Sequence, residues 1–353
     1  MGFWSKLKKL ALSEDRPILV LAPMADVTDA AFRRIIIKYS RYGGRDIGDG
    51  SKESMPAEAF RVGGPDAMWT EFVSAEGLCH PEGRKKLLID LSYTEVERPI
   101  VAQLFSSKPE KMFEAAKLVR KLGFDGLDIN MGCPDRSIEK SGAGAALMKN
   151  PKLAREIIRA AKKGAGKLPV SVKTRIGYNK NELATWLPEL LAEEPAVVTI
   201  HARTRKEMSD VPARWEEVKR AVEIRDSLKS KTLIFGNGDV IDLADARSKA
   251  KETGADGVML GRAIFGNPYL FSNKKSPEEF NGPKHKLEVM LEHTKLFDEL
   301  FCGVKNFAVM KKHYKAYVNG FDGAKELRVK LMTADNFSDV ENIVKNHINL
   351  FQR

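Results

Sequence analysis

Cysteine is scarce in this 353-residue chain: Cys79, Cys133 and Cys302 are the only three, with no CxxC pair and no metal-ligand spacing among them. An odd, sparse set excludes a disulfide framework and a cysteine-built metal site, and it suits a reducing compartment. No apolar run approaches the roughly 18 residues of a spanning helix. The N-terminal stretch MGFWSKLKKLALSEDRP has a few lysines and a weak amphipathic pattern, but no apolar core of signal-peptide length. Lys6 stands where a myristoylation pattern needs Ser or Thr. The chain is therefore expected in the cytoplasm, without a membrane partner and without a metal.

What is present is the composition of a globular enzyme. Apolar residues make up 43% and charged residues 30%, enough for a sizeable core. The formal net charge of +11 favours a polyanionic partner, nucleic acid first, through counterion release and steering. Charge alone leaves a general enrichment in lysine equally open.

Short apolar runs alternate with helical stretches, as repeated βα units around a parallel sheet do. Eight strand candidates follow: 18–22, 69–73, 100–105, 126–130, 170–174, 197–202, 232–236 and 257–261. Several are apolar almost throughout, which fits strands buried on both faces. Helical patterns occupy 109–123, 153–164 and 182–194, the last broken by Pro188, and Gly123 and Gly164 fall where helix C-caps are expected. Eight units predict an α/β fold, a (β/α)8 TIM barrel, over residues 1–280. Residues 40–68, rich in Gly and charge, read as a long loop before the second strand. Beyond about residue 280 no buried strand follows and long helical periods take over. A helical domain is expected over 281–353, with Pro277, Asn281, Gly282 and Pro283 marking the linker.

In such a barrel the active site lies at the C-terminal ends of the strands, with phosphate bound by the loops after strands seven and eight. Those loops carry Gly236, Gly238, Gly261 and Arg262. Glycines of this kind serve tight turns in many proteins, but their occurrence at both strand ends points to an anion site. Lys173 lies in an otherwise apolar strand, where an ammonium needs an anion or acceptor unless it snorkels at the rim. His201, alone, would be a satisfied core histidine; beside Arg203 and Lys173 it becomes a ligand-contact candidate. Cys133 sits between Gly132 and Pro134, just past a strand end. A buried, inert thiol is the common fate of a free cysteine. With an ordinary pKa near 8.5, most of it is protonated at pH 7, which suits a proton donor better than a nucleophile.

The segments APMADVTDAAFR (22–33), NMGCP (130–134), SVKTRIGY (171–178), HART (201–204), NGDV (237–240) and DGVMLGR (256–262) together resemble the tRNA-dihydrouridine synthase family in order and spacing. The stretch 310–328 is similar to that family's helical tRNA-binding domain, so the resemblance covers roughly residues 18–335. It implies a bound FMN, NADPH as reductant, tRNA as substrate and a monomeric enzyme in which Cys133 protonates C5 of a uracil. By position it implies Pro23, Met24 and Ala25 along the flavin, Gln103 and Lys173 at its ring and His201 beside it. Asn237, Gly238, Asp239, Gly261 and Arg262 would surround the phosphate, and Asn130 and Arg203 would face the nucleotide. A uridine inside folded RNA has to be extruded before it can react. Residues 40–68 depart from the family pattern in length and polarity, so the choice of uridine is not implied. Competing readings are another FMN barrel, such as a dihydroorotate dehydrogenase or an ene-reductase acting on a small molecule, and a non-catalytic RNA-binding factor.

Overall fold

The structure is a computed structural model of the chain, and it describes residues 2–273 and 282–351. All eight expected strands form: β1 (Ile18–Leu21), β2 (Met68–Ser74), β3 (Ile100–Phe105), β4 (Gly126–Met131), β5 (Val170–Arg175), β6 (Val197–His201), β7 (Leu233–Asn237) and β8 (Gly257–Leu260). They pair in parallel in the order β1-β8-β7-β6-β5-β4-β3-β2. A parallel bridge between Val20 and Ala67 brings the first and last members together and closes the barrel. Asp66 secures that seam: it takes a two-pronged ion pair from Arg16 at 2.6 and 2.9 Å and the backbone N–H of Leu19 at 2.8 Å. The sheet belongs to a compact unit made of residues 1–25, 65–93 and 97–262.

The N-terminal segment is more ordered than its weak pattern suggests. Phe3–Ser13 is a helix, and its Trp4 is buried among residues that begin the strands, including Ile18, Trp69, Val197 and Leu233. The Trp4 ring lies 5.9 Å from Trp69 and 5.6 Å, edge on, from Phe235. Burying one such ring stabilises by roughly 1.5–3 kcal/mol, enough to hold a short helix over the N-terminal mouth of the barrel.

The helices around the strands correct two local readings. Gly164 is not a C-cap: it lies inside the helix Pro151–Ala165, which ends at Gly166 with φ +64. A Cβ at Gly164 would stand 2.2 Å from the Phe113 carbonyl oxygen, so the glycine allows two helices to touch backbone to backbone. Pro188 does not break its helix either, because Leu183–Leu191 runs through it with Trp186, Leu187 and Leu190 buried. Burial of that face outweighs one missing N–H.

The second compact unit is discontinuous, made of residues 26–64, 94–96 and 263–353. Residues 26–64, placed within the barrel domain by their position in the sequence, thus cluster with the C-terminal segment. Its C-terminal helices are Pro283–Phe301, Ala308–Tyr317, Ala324–Leu331 and Phe337–Phe351. Of the expected linker residues, Gly282 and Pro283 start the first of these helices, whereas Pro277 and Asn281 lie outside the described residues. The core of the unit contains Phe32, whose ring lies 5.2 Å from His293 and 4.7 Å from His313. Lys38 and Tyr39 both bond Glu292, each at 2.6 Å. Among the described residues no helix is long and apolar enough to cross a membrane, and no cluster of three or more His, Cys, Asp and Glu is placed to hold a metal.

Candidate active site

The turn after β4 is built around Asn130. Its side-chain oxygen accepts the backbone N–H groups of Gly132 and Cys133 at 3.1 and 2.9 Å. Its amide nitrogen donates to Gln103 on β3 at 3.1 Å, and Gln103 in turn donates to Asp128 at 2.6 Å. Ser171 on β5 completes the set with a 2.5 Å bond to Asp128. Arg175 locks the turn from the other side, donating to the Gly132 carbonyl at 2.9 Å and to the carbonyls of Thr204 and Met208. A Cβ on Gly132 would press on the backbone of Thr174 at 3.2 Å, and one on Gly144 on the Cys133 carbonyl at 2.9 Å. Cys133 is thus half-buried on a turn fixed by hydrogen bonds and close packing.

The local charges set its protonation. Burial pushes the Cys133 thiol up; the Asp135 backbone N–H and the fields of Lys173 and Arg175 oppose this, while the Asp135 charge adds to it. Burial, helped by Arg175, lowers Lys173 to about 8, while Asp128 and Cys133 favour its charge. Burial raises Asp128 to about 6. His201 is held well below the usual histidine range by burial and by the surrounding cations Lys173, Arg175, Arg203 and Arg262. At neutral pH Cys133 is therefore a protonated thiol, Lys173 an ammonium and His201 a neutral imidazole. The guanidinium of Arg203 lies 3.2 Å from His201 Nε2 and can only donate, so the ring proton is on Nδ1.

A cavity of about 240 Å3 opens at the ends of β1 and β5–β8. Pro23, Met24, Lys173, His201, Asn237, Gly238, Asp239, Gly261 and Arg262 line it. Asn237 is oriented by donating to the Met259 carbonyl at 2.8 Å. Gly238 has φ +121, and a Cβ there would meet Ala213 at 2.8 Å and the His201 ring at 3.2 Å, so only glycine fits. Asp239 accepts from Arg203, from Arg262 at 2.6 Å and from the Ala213 N–H at 2.8 Å. The ammonium of Lys173 reaches the cavity wall without a hydrogen bond or ion pair to any described residue.

A family model described as "Dihydrouridine synthase (Dus)" matches residues 20–352. The chain belongs to the dihydrouridine synthase family. A probable tRNA-dihydrouridine synthase of Staphylococcus aureus (strain COL) is 38% identical over 340 residues, which are 96% of this chain and 93% of the relative. A probable tRNA-dihydrouridine synthase 2 of Bacillus subtilis (strain 168) is 38% identical over 341 residues, 96% of this chain and 94% of the relative. Among solved structures, histamine dehydrogenase from Rhizobium sp. 4-9 overlays with a TM-score of 0.49 at 11% identity, covering 79% of this chain and 49% of that one.

In this chain the expected site residues fall into two groups. Pro23, Met24, Lys173, His201, Asn237, Gly238, Asp239, Gly261 and Arg262 meet around the cavity. Gln103, Asn130, Cys133 and Ala25 are not in its wall. Gln103 is fully buried, and its amide and that of Asn130 support the Cys133 turn. Arg203 is buried too, tied to the Val211 carbonyl, His201 and Asp239, so it shapes the site from behind. Gly236, grouped with the phosphate glycines by sequence, instead leaves room for Trp215, whose ring would lie 2.3 Å from a Cβ there. The sequence reading assigned no role to Asp128, although a carboxylate inside the apolar run GLDIN is the same kind of signal as Lys173. Ser209, which also lines the cavity, sits in a loop with no pattern to reveal it.

Proposed function

We propose that this chain reduces uridines in tRNA to 5,6-dihydrouridine, using FMN with NADPH as reductant, and that Cys133 delivers the proton to C5. The observation that carries this reading is Cys133 held on its hydrogen-bonded turn near Lys173, an ammonium in the cavity wall that no described residue accepts from. The residues present suit FMN. Lys173 offers a charge-assisted donor to an electron-rich ring edge, and neutral His201 offers its Nδ1–H. Gly238 and Gly261 would present their backbone to a phosphate in the cavity they line, with Arg262 exposed beside them. Pro23 and Met24 would flank the ring. When bound, FMN supplies the hydride that adds to C6 of the uracil.

The chain's own residues do the rest. The Asn130 bonds keep the thiol at one place and height, so proton transfer needs no reorganisation of the turn. The raised thiol remains protonated at neutral pH, as a general acid must. Once the proton has left, Lys173 and Arg175 stabilise the thiolate until solvent restores it. The net charge of +11 and the relatives' names support tRNA as the polyanion, and a cytoplasmic monomer is the expected form.

Two measurements test the reading. Flavin released from the purified protein by heat should chromatograph as FMN; no flavin, or FAD, counts against it. RNA from a strain lacking the gene should lose dihydrouridine at defined tRNA positions by mass spectrometry and regain it when the gene is restored.

A further inference from the structure

A second cavity, of about 390 Å3, lies where β2 and β3 end in Ser74 and Phe105, and its other wall is the helix Arg136–Lys140 that follows the Cys133 turn. The wall shared with that turn makes it a neighbour of the proton donor, yet nothing in the chemistry above uses it. Its lining has three components. The first is aromatic: Phe105 is half-buried and braced edge-on by Phe72 at 6.0 Å. The second is cationic: Lys108 is exposed and its ammonium bonds no described residue. The third is a set of hydroxyls whose protons are already directed into the protein. Ser107 donates to the Ser141 carbonyl and Ser141 to the Ile138 carbonyl, which leaves oxygen lone pairs to accept from a ligand. The one carboxylate among the described residues of the wall, Glu76, is occupied by the hydroxyls of Ser106 at 2.8 Å and Ser74 at 3.3 Å.

A ring to stack on, a cation for phosphate and acceptors for a hydroxyl donor are what a single ribonucleotide requires. We propose that this groove is a subsite for the nucleotide flanking the target uridine in single-stranded RNA. The base stacks on Phe105, the phosphate pairs with Lys108 and the ribose 2′-OH donates to a serine oxygen. An extruded uridine pulls its neighbours out of the helix stack, and the groove gives one of them a place to bind. The inference rests on the proposed action on tRNA.

The test uses the full chain with Lys108→Glu and Phe105→Leu. Binding of fluorescently labelled tRNA is measured over a salt series, and KM and kcat for dihydrouridine formation are measured alongside. K108E should weaken binding and raise KM roughly fivefold or more, with the log–log salt slope shallower by about 0.7, the value for one single-strand phosphate. F105L should weaken binding roughly fivefold or more and leave the slope alone, because stacking is uncharged. In both variants kcat should stay at the parental level, which a merely structural role would not spare. Parental affinity and slope in a K108E protein with parental Tm would overturn the subsite; if K108E folds poorly, Lys108→Gln replaces it in the same comparison. A parent that binds tRNA but makes no dihydrouridine defeats the proposed reaction, while the salt slopes still decide the groove.

Discussion

At the scale of single residues, the site divides by how far away each partner lies in the sequence. Cys133, Lys173 and Gly238 are legible because each violates its immediate surroundings: a thiol on a Gly-Pro turn, an ammonium in an apolar strand, a glycine where a strand ends. Asn130, Gln103, Arg203 and Asp239 are polar residues at strand ends too, but their partners are 27 residues apart for Asn130 and Gln103 and 36 for Arg203 and Asp239. Sequence pattern cannot show whether such an amide or guanidinium turns to a ligand or to the protein. The role of Cys133 separates two half-reactions that share one site. Cys133→Ala should leave NADPH-driven bleaching of the flavin largely intact, because no proton is needed at the uracil there. Reoxidation by tRNA should slow by roughly 10²–10⁴-fold, the usual range for a lost general acid. Rapid-mixing absorbance separates the two, and a tRNA step at parental rate would falsify the assignment.

At the scale of elements, the strands were readable because a parallel barrel buries both faces and leaves continuous apolar runs, which local composition records directly. Helix ends were less so, since Gly164 and Gly166 both follow the periodic segment and only the neighbouring helix decides between them. Gly164→Ala is favoured by helix propensity by about 1 kcal/mol, yet its methyl would overlap the Phe113 carbonyl at 2.2 Å and crowd Ala116 at 2.9 Å. Overpacking against backbone should win, with a net loss of about 1–3 kcal/mol and a lower Tm by thermal unfolding; a raised Tm would refute the packing argument. The helices Pro283–Phe301 and Ala308–Tyr317 carry a second such constraint in His293 and His313, whose rings meet at 4.7 Å. Burial depresses both, His313 to about 3, with the Lys312 charge adding to the latter. The unfolded chain therefore binds protons that the folded one refuses, so stability is full above about pH 6.5 and falls as the pH drops, by about 1.4 kcal/mol per pH unit per histidine. His313→Phe should make urea-unfolding stability less steep in pH between 6.5 and 5 by that amount; an unchanged slope would show that His313 is not buried neutral.

At the scale of the whole molecule, composition marks a change of architecture near residue 280 but not which earlier residues join the helices. The polar, Gly-rich stretch 40–68 has no periodicity to betray a partner, and its preceding helix Ala30–Ile36 looks like any other in a barrel. Contacts nevertheless group 26–64 with 263–353 in one unit of 21 Lys and Arg against 18 Asp and Glu, leaving 38 against 30 on the barrel unit. Both units are thus basic, and deleting the C-terminal helices is a poor way to ask which one holds RNA. A chain ending at residue 281 would strip Phe32 of its stacked histidines and Lys38 and Tyr39 of Glu292. It would also strip Asp26 of its ion pair with Lys312 at 2.7 Å. Exposing a core ring and breaking the polar contacts around it together destabilise a segment by several kcal/mol, more than a stretch of this length retains on its own. Limited trypsin digestion should therefore cut the shortened chain after Arg33, Lys38 or Arg41 while sparing those bonds in the full chain. Equal protection of these sites in both chains would mean that residues 26–64 fold without the helices, and that a single cut near residue 280 separates two independent domains.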